Sequence, residues 1–217
     1  MVEEWIRNSA RRGGGCRGVA GFGHELTVPV NARKGDASLV VVRDPLDRVH
    51  SAFRYWRYGS SSFPARHGSK LNFSAFVDAW ADEQHPQHAY VAAATSRPPC
   101  NWQSKCLMFS DQSTWVDGWA GPTKDGRQDI IFVCYTPSSL GSRVADALTA
   151  HGAFCTERSL GQLRRKDKTM VNPTTSPHSL RPSEGLASLS PASRAWLRAR
   201  YARDAELYEA ACGRAGP

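Results

Sequence analysis

The sequence predicts an α/β fold built around a parallel sheet. Three observations carry that expectation. Residues 38–42, Ser-Leu-Val-Val-Val, are apolar from Leu39 on and rich in β-branched side chains, the pattern of a parallel strand buried on both faces. A second run, Asp-Ile-Ile-Phe-Val-Cys-Tyr, fills positions 129–135. Each is followed by apolar residues at helical spacing, so strand and helix alternate along the chain. The 217 residues suit one domain over 1–217, and no internal repeat is visible.

The elements follow in order. Residues 2–12 read as a helix, with Val2, Trp5, Ile6 and Ser9 on one face and Glu3 and Glu4 suited to its N-terminus. Glycines 13–15 stop it. The apolar, glycine-broken segment 18–28 suggests a short buried strand with a polar exit at His24 and Glu25. The strand at 38–42 leads into a helix on which Leu46, Val49, Phe53 and Trp56 make one apolar stripe. A Gly/Ser/Pro/His-rich loop precedes a second amphipathic helix over 72–84, and 85–128 is poorly patterned. After the strand at 129–135, Leu140, Val144 and Leu148 line up on a helix stopped by Gly152. Residues 163–183 read as a basic, proline-punctuated loop. The last helix starts at Ser190 as cap and Pro191 in the first turn, and runs to about Cys212.

Hydrophobic residues are 41% of the chain, with seven Trp, eight Phe and six Tyr, a globular composition. The net charge of +8 favours anionic partners: nucleic acid, acidic polysaccharide, anionic lipid or a nucleotide. No apolar run reaches the roughly 20 residues of a membrane span. Six cysteines without a CxxC pair argue against a structural zinc site. Cys100 and Cys106 are close enough in sequence for a local disulfide in an oxidising compartment; six free, mostly buried thiols is the alternative.

The chemistry concentrates at Val-Val-Arg-Asp-Pro-Leu-Asp-Arg-Val-His-Ser, 41–51. Arg43 ends a parallel strand, and ligands of open α/β sheets bind outside the carboxyl ends of strands. Asp44 suits a helix cap and Pro45 a first turn, which would bring the positive end of the helix beside Arg43. Ser51 adds a hydroxyl. A guanidinium fork, oriented amides and a hydroxyl make a phosphate-sized trap. The plainer alternative pairs Arg43 with Asp44 or Asp47 and leaves Ser51 facing solvent.

This stretch closely resembles the segment with which sulfotransferases grip the 3′-phosphate of 3′-phosphoadenylyl sulfate (PAPS), the activated sulfate donor. The matching positions are Arg43, Asp44, Pro45, Arg48 and Ser51. The chain is most similar to the Golgi carbohydrate sulfotransferases of the heparan sulfate and uronyl 2-O type. Weaker likeness extends to Asn101–Leu107 and to the closing segment 189–212. The resemblance implies a P-loop-NTPase-like three-layer domain, with a central parallel sheet flanked by helices. It implies transfer of a sulfuryl group from PAPS to a glycan hydroxyl, with no metal and no covalent enzyme intermediate. Arg43, Arg48 and Ser51 are the cofactor-binding residues it points to. It also implies a Golgi lumen location and an N-terminal membrane anchor not present in this sequence.

Relatives hold the 5′ side of the donor in a loop containing Lys and Ser/Thr near the N-terminus. The first lysine here is Lys34, and residues 1–10 read like the helix after such a loop. The expectation is a chain that begins downstream of it; a degenerate relative is the alternative. The acceptor hydroxyl must lose a proton as it attacks sulfur, which calls for a general base. In the resembling 2-O-sulfotransferases a His before the phosphate-gripping strand serves, so His24 is the catalytic candidate and Glu25 the second. Family position also suggests Arg165 and Lys166, in the basic loop, as donor contacts. His50 reads as packing; His67, His85 and His88 are candidates for acceptor recognition; Trp56, Trp80 and Trp102 read as core before sugar-stacking.

Two further readings compete with the enzyme. One is a non-catalytic relative that holds nucleotide or polyanionic glycan. The other is nucleic-acid binding, which rests on charge alone, since no aromatic-basic recognition motif supports it.

Overall fold

The computed structural model describes residues 37–58, 71–96, 109–117, 129–136, 138–152, 155–170 and 185–213. Within them the chain is mostly helical with a small parallel sheet, an α/β arrangement. It groups into two compact units, each assembled from separate stretches: residues 1–43, 113–173 and 208–217, and residues 44–112 and 174–207. The predicted elements before residue 37 and the loop at 59–70 lie outside the described residues.

In the first unit β1 (Ala37–Val42) pairs in parallel with β2 (Asp129–Cys134). The register runs from Ala37 opposite Asp129 to Val42 opposite Cys134. Val40 and Val42 are buried, while Leu39 and Val41 pack on a core of Val133, Leu140, Val144, Ala145, Leu148, Leu160 and Leu163. Both faces of β1 are therefore covered, which is what its continuous apolar run requires. Leu140, Val144 and Leu148 come from α5 (Leu140–Ala150), and Leu160 and Leu163 from α6 (Glu157–Met170). Helix α5 ends at His151, and Gly152 follows with φ of 74°, the left-handed conformation that glycine adopts without a Cβ clash.

The second unit holds α1 (Pro45–Tyr58), α2 (Phe73–Ala81), α3 (His88–Ser96), a short turn at Leu186–Ser188 and α7 (Pro191–Arg200). Two short helices, α4 (Gln112–Asp117) and α8 (Ala202–Tyr208), begin in this unit and end in the first. Its core is aromatic. Phe53, Phe73, Phe76, Trp80, Phe109 and Tyr201 are all buried, with successive ring centroids 5.0–6.4 Å apart in tilted or edge-on pairs. Such geometries add to area burial because ring edges carry positive and faces negative charge.

The caps follow the sequence. Asp44 Oδ1 accepts from the Asp47 amide at 3.0 Å, Asn72 Oδ1 from Ala75 at 2.8 Å, and Ser190 Oγ from Ser193 at 3.0 Å. Pro45 and Pro191 each occupy the first helical position, where no amide donor is needed.

Four expectations need correction. Residues 163–170 are helical and not loop: Leu160 and Leu163 bury one side of α6, and the Arg and Lys residues that suggested a loop are good helix formers. The unpatterned middle contains α3, whose Val91, Ala94 and Thr95 face inward. The last helix is interrupted at Tyr201 and closes as a π-helical turn, Glu209–Gly213. Six free thiols are also excluded. Cys134 at the end of β2 is bonded to Cys212 in that turn, with Cα atoms 5.6 Å apart, and Cys155 is disulfide-bonded too. Cys100 and Cys106 lie outside the described residues. Among those residues no helix is long and apolar enough to cross a membrane.

Candidate functional site

The motif at 41–51 straddles the boundary between the two units, so its halves are described separately. In the first unit, Arg43 is the residue immediately after β1, and Tyr135 the residue immediately after β2. Because the strands are parallel and in register at Val42 and Cys134, these two residues stand at the same carboxyl edge of the sheet. The Tyr135 amide donates to the Val42 carbonyl at 2.6 Å, extending the pairing by one step. The guanidinium carbon of Arg43 lies over the Tyr135 ring, 4.5 Å from its centroid. The ring face attracts a cation without using any of its N–H donors.

In the second unit, Asp44 caps α1 with its side chain and its carbonyl accepts from the Arg48 amide. The Asp44 carboxylate thus has helix-capping work. Ser51 is half-buried on α1. Arg48 points into the unit. Its terminal nitrogen donates to Asp204 Oδ2 at 2.8 Å, and its guanidinium lies 5.2 Å from the Tyr201 ring centroid. Asp204 is 2% exposed and also accepts from the Gln112 amide at 2.9 Å. The second arginine of the motif is therefore held in a buried ion pair with the closing helices.

Around that pair sits a polar network. Tyr201 donates to the Phe109 carbonyl at 2.5 Å, and burial pushes its phenol up to about 12, with Arg48 and Arg200 partly opposing the rise. Arg200 lies over the rings of Trp80, at 4.8 Å, and Tyr201, at 5.6 Å. Asp111 has a buried Oδ1 with no hydrogen-bond donor among the described residues. Burial, and then the Asp204 charge, hold its carboxyl above the ordinary carboxylate range, while Arg200 and Arg48 pull the other way.

The sign of that shift gives an expected pH dependence. A carboxyl raised in the folded state favours folding while protonated, and that contribution is lost as pH rises through its folded value. Asp111→Asn removes the penalty. Its melting temperature is expected to exceed that of the unsubstituted chain at pH 7 and to match it near pH 3. Thermal unfolding at both pH values checks this; a lower melting temperature at pH 7 would show that the Asp111 charge is stabilising.

The other sequence candidates fall as follows. Arg165 is exposed on α6, and Lys166 is the next residue of that helix. His24 and Glu25 lie outside the described residues. His50 packs its ring 4.9 Å from Phe73. His85 Nδ1 accepts from the Gln87 amide, and His88 Nδ1 pairs with the Ala79 carbonyl, so both brace the turn between α2 and α3. Trp80 is core. Sequence reasoning missed Tyr135 and Asp204. The first was legible as the residue leaving the second strand; the second lies 156 positions from its partner and had no local signal.

No family model matches the chain, and no curated protein and no solved structure matches it.

Proposed function

We propose that this chain is a PAPS-dependent sulfotransferase acting on a carbohydrate hydroxyl, with a P-loop-like three-layer domain. The observation that carries the reading is Arg43 at the carboxyl end of a parallel strand, followed directly by an Asp-capped, Pro-started helix. That is the strand-to-helix turn the sulfotransferase resemblance requires. The residues fit the group they would hold. A guanidinium presents in-plane donors matched to phosphate oxygens, and the Arg43 guanidinium lies over the Tyr135 ring.

Bound PAPS supplies an activated sulfuryl group. The work of this chain is to hold the 3′-phosphate through Arg43 and to take up the acceptor proton. Ser51 keeps the hydroxyl role that the resemblance assigns to it. His24 is the proposed base, receiving the hydroxyl proton as the acceptor oxygen attacks, with Glu25 second. Arg165 and Lys166 remain proposed donor contacts. Arg48, which the resemblance assigns to the donor, is paired with Asp204 and also fixes α1. The disulfides at Cys134, Cys155 and Cys212 support a lumenal, oxidising compartment such as the Golgi.

Adenosine 3′,5′-bisphosphate is expected to raise the melting temperature, and adenosine 5′-monophosphate to do so far less. At a hundredfold excess over the dissociation constant the stabilisation is about 2.7 kcal/mol. Equal shifts from the two nucleotides would remove the 3′-phosphate site. Bisphosphate binding without sulfuryl transfer to any glycan would favour the non-catalytic relative.

A further inference from the structure

The closing helices carry a charge pattern that the donor site does not use. Residues 191–203 contain Arg194, Arg198, Arg200 and Arg203 and no acidic residue. Arg194 donates to the Leu186 carbonyl at 2.8 Å and so braces the turn before α7. Arg200 is placed differently. It is exposed at the end of α7, and its guanidinium carbon lies 4.8 Å from the Trp80 ring centroid, 5.6 Å from that of Tyr201 and 6.0 Å from that of Trp196. The Tyr201 hydroxyl accepts from it, and a guanidinium has more donors than that one acceptor can use. Asp111 acts on Arg200 through its charge, but among the described residues the two form no ion pair. A basic last turn suits the negative end of a helix, yet lysine would serve that purpose as well and would need no bed of rings. Packing against the rings orders the side chain before a ligand arrives, which lowers the entropy cost of binding.

We propose that Arg200 and the Trp196 ring beside it bind an acidic saccharide: the guanidinium pairs with a sulfate or carboxylate group, and the half-buried indole packs on the sugar ring. The inference goes beyond the sulfotransferase reading, because it needs no nucleotide and uses none of the donor-site residues. Two observations favour a saccharide over other polyanions. The disulfides at Cys134, Cys155 and Cys212 belong to an oxidising compartment, away from nucleic acid. The exposed positions of α7 are proline, alanine and arginine, with no large apolar side chain to enter a bilayer.

The test measures binding of a heparin-derived hexasaccharide to the full chain by calorimetry, without nucleotide. Arg200→Ala is expected to weaken binding about tenfold or more, the range of a lost charged hydrogen bond. Arg143, exposed on α5, is the control for net charge, and Arg143→Ala should weaken binding less than about threefold. Arg200→Lys keeps the charge without the planar fork and should recover only part of the loss. If Arg200→Ala does not fold, Arg200→Met keeps an apolar stem on the rings without the guanidinium and carries the same expectation. Equal losses from Arg143→Ala and Arg200→Ala would mean attraction by net charge alone and overturn the inference. A single-stranded DNA oligomer of equal charge, or phosphatidylserine vesicles, bound as tightly and with the same dependence on Arg200 would overturn the saccharide assignment. No binding of the hexasaccharide by the unsubstituted chain overturns the inference and leaves the donor site, read by adenosine 3′,5′-bisphosphate, standing.

Discussion

Asp204→Ala is expected to destabilise the protein by about 3–5 kcal/mol, the loss seen when one partner of a buried ion pair is removed. The carboxylate accepts from the Arg48 guanidinium at 2.8 Å and from the Gln112 amide at 2.9 Å, and it is 2% exposed. Truncation strips Arg48 of this countercharge in a site where its side chain is only 10% exposed. It also removes the acceptor of the Gln112 amide, which alone costs about 1–3 kcal/mol when buried. Such a loss is a large share of a typical domain's stability of about 5–15 kcal/mol.

The same pair distinguishes breaking an interaction from replacing it. Asp204→Asn keeps an acceptor and is expected to lose less than Asp204→Ala. The double change Arg48→Met with Asp204→Leu removes both charges, and such replacements are often neutral or stabilising by about 1–4 kcal/mol. Its stability should therefore lie well above that of Asp204→Ala. Urea unfolding of the four proteins checks the order. If Asp204→Ala loses under about 1 kcal/mol, the typical worth of an exposed pair, the Arg48–Asp204 bridge is not buried in solution.

These residues also show what a sequence can and cannot reveal. The strands were legible because a parallel strand covered on both faces reads as a continuous apolar run, as 39–42 and 130–134 do. Helix α1 was legible from a cap, a proline and a four-residue stripe in which each signal lies about one turn from the next. Helix α6 was not, because Leu160 and Leu163 are its only buried apolar side chains among those described, and the charged run around them resembles a solvated loop. Helix α3 hides for another reason. It is rich in alanine, which favours helix without producing an apolar stripe.

The candidate site divides along the same line. Arg43, Asp44 and Ser51 were proposed from local spacing. Contacts of the two arginines come from afar: Asp204 pairs with Arg48, and the Tyr135 ring lies under Arg43. Neither pairing is a property of any short window. Cysteine connectivity is the extreme case. Six cysteines allow 15 pairings, and spacing alone pointed to the nearest two.

The bond that the structure does show, Cys134 to Cys212, sets the second large expectation. It closes a loop across a sequence separation of 78 residues, for which the chain-entropy relation gives a stabilisation of about 4–5 kcal/mol. Measured contributions of disulfides commonly fall below that relation, at about 2–4 kcal/mol. Replacing both cysteines, Cys134→Ser with Cys212→Ser, is therefore expected to lower stability by about 2–4 kcal/mol. The physical consequence is local as well. The π-helical turn at Glu209–Gly213 packs on β2, and Cys134 precedes Tyr135, so losing the bond frees the C-terminal turn from the strand end. Non-reducing peptide mapping should recover a linked peptide pair containing Cys134 and Cys212, and amide exchange should rise at 209–213 in the double variant. A chain that carries free thiols at these two positions, or whose unfolding midpoint is unchanged by the double substitution, would show that β2 and the C-terminal turn are held together by packing alone.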